Sequence, residues 1–184
     1  MQELKEELAK TRLEIVAIQE TRWSGKEVIK GKDFSLYYSG TKEQTGQAGV
    51  GFILLGKTRN NVIGFEAINE RICKIRLKGK YNNMSLINIY APTEDKADPE
   101  KENFYEELQL VIDHTPKSDT ILVLGDANAK LGKEDIYKEV SGKHTLHELS
   151  NSNGEMLLEF AIGNNDYEYP ISTQENTQRD LVSS

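Results

Sequence analysis

Four short apolar segments follow one another between residues 48 and 90, and this repetition restricts the fold more than any other feature of the sequence. Turn-forming clusters of Gly, Asn and Lys separate the segments. Short β-rich segments bounded by such clusters are typical of strands. The pattern therefore predicts an antiparallel meander, in which four consecutive strands form one sheet. These strands cover residues 50–55, 62–68, 72–77 and 84–90.

Three helices are predicted around the strands. Leucines four residues apart indicate a short amphipathic helix over residues 2–11. A second helix begins at Asp98, which is predicted to act as its N-cap, and is stopped by Pro116. A third begins at Asn153, also predicted as an N-cap, and ends at Gly163. Helices mixed with an antiparallel meander indicate a layered α/β or α+β domain.

The length and charge of the chain limit what it can be. Its 184 residues fit one domain. That domain is predicted to end at residue 165, because residues 166–184 show no periodicity and are interpreted as a divergent, disordered tail. The net charge of -7 argues against binding nucleic acid through a general basic surface. It does not exclude a nuclease, because carboxylates that hold a divalent metal make a site negative.

Cys73 is the single cysteine, so no disulfide can form within the chain. It alternates with charged residues in a predicted strand, and this pattern favours a buried thiol over a nucleophile. The N-terminal residues have neither the basic start nor the apolar stretch of a secretory signal, and no apolar run has membrane-spanning length. We expect an intracellular protein, nuclear or cytoplasmic, that does not contact a membrane and whose oligomeric state stays open.

Three apolar strands end in residues suited to phosphate chemistry: Glu20 after residues 15–18, Tyr90 after residues 86–89, and Asp126 with Asn128 after residues 121–124. Strand ends present side chains to a cleft. Glu20 offers a hard oxygen ligand of the kind that Mg²⁺ prefers. Asp126 and Asn128 point to the same side if the strand geometry persists, which places a carboxylate beside an amide. The alternative is that Glu20 is merely solvated and that the Asp126 segment is a local turn.

Other motifs are weaker candidates. His144 and His147 are two histidines in a predicted loop without a third ligand, which favours a structural interpretation over a metal site. Residues 46–51 are rich in glycine but lack the Lys-Ser/Thr pair of a phosphate-binding loop, which favours a flexible strand entry.

Three ordered motifs resemble those of the endonuclease/exonuclease/phosphatase superfamily. The chain is similar in particular to the endonuclease domains of non-LTR retrotransposons and to craniofacial development protein 2-like proteins. The likeness covers residues 2–165. The motifs are Gln19-Glu20-Thr21-Arg22-Trp23, Ile87-Asn88-Ile89-Tyr90-Ala91-Pro92 and Leu124-Gly125-Asp126-Ala127-Asn128-Ala129.

This resemblance implies a four-layer α/β/β/α sandwich and a Mg²⁺-dependent phosphodiesterase of the DNA endonuclease type, with Mn²⁺ as an alternative ion. It also implies that Glu20 binds the metal and that Tyr90 contacts the scissile phosphate. Asp126 would orient or activate the attacking water, and Asn128 would stabilise the phosphate. The implied partner is DNA or another phosphodiester substrate.

The sequence departs from the family's pattern at both ends. The family's first strand, with an Asn near the metal, should precede residue 2, and its later Asp and Asp-His motifs should follow residue 165. We therefore expect a truncated, incomplete sandwich with weak or no activity. One alternative is a non-catalytic remnant that acts at most as a binding module. Another keeps hydrolysis but takes a small phosphate ester as substrate.

Overall fold

The computed structural model describes residues 13–43, 46–134, 136 and 147–164. The predicted helix over residues 2–11 and the predicted tail over residues 166–184 lie outside these residues. The elements, in chain order, are β1 (Ile15–Gln19), β2 (Lys26–Lys30), β3 (Phe34–Ser39), β4 (Val50–Leu55), a 3₁₀ helix (Gly56–Asn61), β5 (Val62–Ala67), β6 (Ile72–Leu77), β7 (Met84–Tyr90), α1 (Asp98–Asp113), β8 (Thr120–Asp126) and α2 (Ser152–Gly163).

The described strands form two four-stranded sheets. The first has the order β1-β4-β3-β2, and all its neighbours are antiparallel. The second has the order β5-β6-β7-β8, and its last pair, β7 and β8, is parallel. A parallel pair needs a crossover connection, which α1 provides. The register of this pair places Tyr90 opposite Asp126, each at the carboxyl end of its strand.

Two apolar cores order the layers. Phe52 and Leu54 of the first sheet pack with Cys73 and Ile75 of the second, so the two sheets face each other. The opposite face of the second sheet is covered by α1 and α2, through residues such as Leu108. The described residues thus form three layers in the order α/β/β. Cys73 is fully buried and its pKa is raised by burial, which confirms the interpretation as a core thiol.

The prediction of a single four-stranded meander is wrong, although its strand positions agree closely with the structure. Strand β4 belongs to the first sheet, where it pairs with β1 and β3. The 3₁₀ helix begins at Gly56, whose φ is 57°, and carries the chain over to the second sheet. An apolar strand buried on both faces, as β4 is, carries no signal of which sheet it joins. Strands β2 and β3 were not predicted from the sequence.

Both predicted N-caps are also wrong. Ala97 precedes α1, and Asp98 lies inside the helix, where its carboxylate pairs with the Lys101 ammonium group at 3.2 Å. Asn151 caps α2 and accepts a hydrogen bond from the Gly154 amide. The side chain of Asn153 is used in tertiary contacts instead. Asn151 satisfies the same sequence rule as Asn153, whereas Ala97 has no side-chain acceptor and makes no capping bond.

Candidate active site

The carboxyl ends of β1 and β7 meet at one edge of the two sheets. The Tyr90 hydroxyl donates a hydrogen bond to Glu20 Oε1 at 2.8 Å, across 70 residues of sequence. The other carboxylate oxygen of Glu20 accepts from Arg22 Nη2 at 3.1 Å. About half of the Glu20 side chain, 49%, stays exposed. Two of the predicted site residues are thus in direct contact, and solvent reaches the carboxylate.

The end of β8 joins this pair through the parallel register of the second sheet. Directly beyond Tyr90, the Ala91 amide donates to the Asp126 carbonyl at 2.8 Å. Asp126 Oδ1 accepts from the Asn128 backbone amide at 2.8 Å, and Asn128 Nδ2 donates to the Ala91 carbonyl, also at 2.8 Å. The local turn that the sequence left as an alternative is therefore present. Nevertheless, all four predicted residues, including Glu20, lie at the same edge.

The backbone at this edge is strained. Four non-glycine residues of the described chain have positive φ angles: Glu20 at 53°, Arg22 at 58°, Ala48 at 52° and Asn128 at 49°. Glu20 and Asn128 are predicted site residues, and the Arg22 amide donates to the Ala48 carbonyl at 2.9 Å. Such conformations cost about 1–3 kcal/mol each and concentrate at functional sites. The strand geometry that would align Asp126 with Asn128 ends before Asn128.

Electrostatic coupling sets the protonation of the Tyr90–Glu20 pair. Burial, followed by the hydrogen bond to Glu20 and the negative charges of Glu20 and Asp126, raises the pKa of Tyr90 to about 12. The hydrogen bond from Tyr90, followed by that from Arg22, lowers the pKa of Glu20. At neutral pH, Tyr90 is therefore a protonated donor and Glu20 an ionised acceptor.

Arg71 is a site residue to which the sequence assigned no role. Its guanidinium lies 5.7 Å from the centre of the Tyr90 ring, and its Nη1 donates to the Tyr90 carbonyl at 3.3 Å. Its Nη2 pairs with Glu100 at 3.4 Å. The positive charge opposes the rise of the Tyr90 pKa. Arg71 thus brings a cation next to the phenol of the candidate site.

A fully buried asparagine, Asn88, joins the two sheets beneath the site. Its Nδ2 donates to the carbonyls of Ile18 and Gly51 in the first sheet, and its Oδ1 accepts from Gln19 Nε2 at 2.6 Å. Because Gln19 immediately precedes Glu20, this contact fixes the strand that carries the candidate metal ligand. The sequence signal was an amide at an inward-facing position of an otherwise apolar strand.

Gly125 allows β8 to pass close to this buried asparagine. Its φ is 126°, and a Cβ atom built on it would lie 2.1 Å from the Ile89 carbonyl oxygen and 2.8 Å from Asn88 Oδ1. No larger residue fits such an approach without a backbone shift. The glycine before Asp126 is therefore required by packing against β7.

The donors at this edge fit a divalent metal of the Mg²⁺ type. Mg²⁺ uses one or two carboxylates and completes its shell with water and substrate phosphate. Glu20 accepts a hydrogen bond from Tyr90, and Asp126 lies opposite Tyr90 in the second sheet, so two acidic residues flank the same tyrosine. Among the described residues, no group of three or more His, Cys, Asp or Glu side chains is arranged to hold a metal. His147 is exposed, and His144 lies outside the described chain.

Comparisons with known proteins give one curated relative and two solved structures of particular interest. No protein-family model matches the chain. Craniofacial development protein 2 of Bos taurus is 34% identical over 161 residues, which are 88% of this chain and 27% of that protein. The endonuclease domain of TRAS1, a telomere-specific non-LTR retrotransposon, has a TM-score of 0.54 at 17% identity, covering 88% of this chain and 63% of that one. The AP endonuclease LMAP from Leishmania major has a TM-score of 0.56 at 13% identity, covering 88% and 60%.

These similarities confirm the predicted resemblance and the α+β fold class. The chain spans about a quarter of the length of the curated relative. In the part of the chain that the structure describes, no helix combines the length and apolarity needed to cross a membrane.

Proposed function

We propose that this chain, a relative of craniofacial development protein 2 with the endonuclease/exonuclease/phosphatase fold, hydrolyses phosphodiester bonds of DNA in a Mg²⁺-dependent reaction. The observation that carries the proposal is the contact between Glu20 and Tyr90 at the edge where Asp126 ends the neighbouring strand. Three strands far apart in sequence place their polar ends together, which a purely structural role does not require. The names of the two solved neighbours, both endonucleases, support the same reaction class.

Each residue has a role that its contacts permit. Glu20 would hold the metal, together with Asp126. When bound, Mg²⁺ supplies positive charge that stabilises the phosphoryl oxygens. Asp126 also orients the attacking water, since a carboxylate has about four lone-pair sites and the bond from Asn128 uses one. Asn128 donates one amide hydrogen to the Ala91 carbonyl and offers its second to the phosphate. Tyr90 is a protonated donor that positions Glu20 and approaches the scissile phosphate.

We expect turnover by this site to be slow. General acid–base catalysis is most effective when the pKa of the catalytic group lies near the working pH. The pKa of Tyr90 is raised to about 12, whereas that of Glu20 is lowered from the usual carboxyl range. Neither group is therefore suited to act as a second acid or base beside Asp126 at neutral pH. The expected signature is metal-dependent cutting at a low rate.

A binding module is the second candidate function. The carboxylate of Glu20 accepts hydrogen bonds from Tyr90 and Arg22, and this arrangement could persist without catalysis. In that case the chain would bind DNA or a protein without cutting. The two functions differ in metal-dependent turnover.

The test is nicking of supercoiled plasmid with Mg²⁺ or Mn²⁺, against an EDTA blank. Asp126→Asn should lower the rate by about 10²–10⁴-fold, the usual effect of losing a catalytic acid or base. Asp33→Asn is the matched control, because Asp33 is exposed in the turn before β3, at the opposite end of the first sheet. Hydrolysis of a small diester, measured in parallel, separates the DNA substrate from a small phosphate ester. The proposal would be contradicted if EDTA did not reduce cutting by the wild-type chain, or if Asp126→Asn cut as fast as the wild type. DNA binding without cutting would favour the binding module.

A further inference from the structure

Asn153 lies in the first turn of α2 and connects the two loops that follow the candidate active-site strands. Its side chain is fully buried. Its Nδ2 donates to the Pro92 carbonyl at 2.9 Å and to the Asn128 carbonyl at 3.1 Å. Pro92 lies two residues after Tyr90, and Asn128 two residues after Asp126. One amide group therefore bridges the backbone of both loops.

The start of α2 is fitted to the second of these loops. Asn151 Oδ1 accepts from the Lys130 amide at 2.9 Å, as well as from the Gly154 amide at 2.8 Å. A Cβ atom on Gly154 would lie 2.1 Å from the Lys130 carbonyl oxygen, so only glycine permits this approach. The helix terminus is thereby held directly against the segment after Asn128.

The first loop is fixed to the same helix terminus through Glu94. Its two carboxylate oxygens accept from the backbone amides of Ser152 and Asn153, both at 3.2 Å. The fully buried ammonium of Lys101 donates to Ser152 Oγ at 3.1 Å and to the Glu94 carbonyl at 3.4 Å. Asn153 therefore acts from a rigid base that is tied to both loops.

The unpaired oxygen of the Asn153 amide indicates that this residue does more than stabilise the fold. Oδ1 is buried and has no hydrogen-bond partner among the described residues. Leaving such an atom unpaired costs free energy. Rotating the amide would not relieve it, because the oxygen would then face the carbonyls of Pro92 and Asn128. The bonds that Nδ2 makes to the two loops hold the amide in this orientation in spite of that cost.

We propose that Asn153 is a positioning residue that fixes the spacing between the loop after Tyr90 and the loop after Asp126. The proposal rests on the proposed function in so far as it concerns turnover. Without the bridge, the strands before the two loops remain paired, but the loops are no longer bound to the same side chain. The contacts of Ala91 with Asp126 and Asn128 remain, but the positions of Asp126 and Asn128 relative to Tyr90 are then less tightly fixed.

The test compares Asn153→Asp with Asn164→Asp in the full chain. Both substitutions are isosteric and remove a buried amide donor, at opposite ends of the same helix. Asn164 donates to Gln109 Oε1 and to the Phe160 carbonyl, and it contacts neither loop. The first readout is plasmid nicking, separated into kcat and KM. The second is hydrogen exchange of the Ala91 and Asn128 amides, both of which donate to Asp126. Thermal unfolding of both variants controls for stability.

We expect Asn153→Asp to lower kcat by about 10–10²-fold, the effect of a misplacement on the order of 1 Å, with KM changed less than about twofold. Exchange of the Ala91 and Asn128 amides should accelerate in this variant and stay unchanged in Asn164→Asp. Equal kcat losses in the two variants, or unchanged exchange at both amides in Asn153→Asp, would overturn the proposal. If the wild-type chain does not cut DNA, the proposed function fails, and the exchange rates alone decide whether Asn153 holds the loops.

Discussion

Replacing Asn88 by alanine should remove the polar link between the two sheets beneath the site and lower the free energy of unfolding by a measurable amount. The side chain makes three hydrogen bonds: to the carbonyls of Ile18 and Gly51, and from Gln19 Nε2. A typical hydrogen bond contributes roughly 1 kcal/mol net, and a buried group left unpaired costs about 1–3 kcal/mol. The three bonds together give about 3 kcal/mol. This is a large share of a domain stability of about 5–15 kcal/mol.

Urea unfolding followed by circular dichroism would measure this change, with Asn82→Ala as the matched control. Asn82 lies exposed in the turn between β6 and β7, so its replacement should change the free energy of unfolding by less than about 0.5 kcal/mol. For a chain of this size, Asn88→Ala should also lower the Tm by roughly 6–12 °C. A loss below about 1 kcal/mol, with an unchanged m-value, would refute the claim that this amide joins the sheets.

Three further outcomes are expected. The hydrogen bond from Arg76 is the main cause that lowers the pKa of Asp119. The stability of the fold should therefore decline as pH falls below about 4, where an unfolded aspartate takes up its proton. Asp119→Asn should flatten that decline in acid-unfolding curves. Tyr90→Phe should reduce nicking by about 10²-fold and, because the bond from Tyr90 is the main cause that lowers the pKa of Glu20, should raise that pKa in an NMR titration. An unmoved Glu20 titration would contradict the described pairing. Ile75→Ala, in the fully buried core between the sheets, should lower the free energy of unfolding by about 2–5 kcal/mol. It should leave kcat unchanged at temperatures well below the melting temperature of the variant. A parallel loss of kcat would show that the site responds to any loss of packing.

The positions of the strands in the second sheet were predicted well, although their partners were not, because these strands carry strong local signals. Strand β6 alternates between charged residues and inward-facing Cys73, Ile75 and Leu77, and its predicted limits agree with the structure. Tyr90 and Asp126 follow apolar strands, and the parallel register brings these ends side by side. Local periodicity is a reliable signal for such strands. The convergence of the predicted site residues needs two further features: the parallel register for Tyr90 with Asp126, and the packing of the two sheets for Glu20.

The first sheet was poorly predicted because its organisation depends on distant partners. Strand β2 is exposed along its whole length, so its sequence shows no buried face. Strands β3 and β4 are each buried at five of their six residues, and a strand that is buried on both faces does not specify its neighbours. The predicted helix over residues 2–11 and the predicted tail lie outside the described residues, and these expectations, with that of a fourth layer, stay predictions.

The two buried asparagines at the site, Asn88 and Asn153, have the same kind of role: each holds two backbone segments in place. Each uses its amide nitrogen to bind two carbonyls from segments that are distant in sequence, in one case across the sheets and in the other across the loops. Apolar packing supplies most of the stability of a fold but tolerates small displacements of its layers. An amide with two directed donors does not, because a shift of either carbonyl breaks a hydrogen bond. The sequence marks Asn88 only as an amide in an apolar strand and gives no sign of the carbonyls that either asparagine binds, since these become neighbours only once the chain has folded.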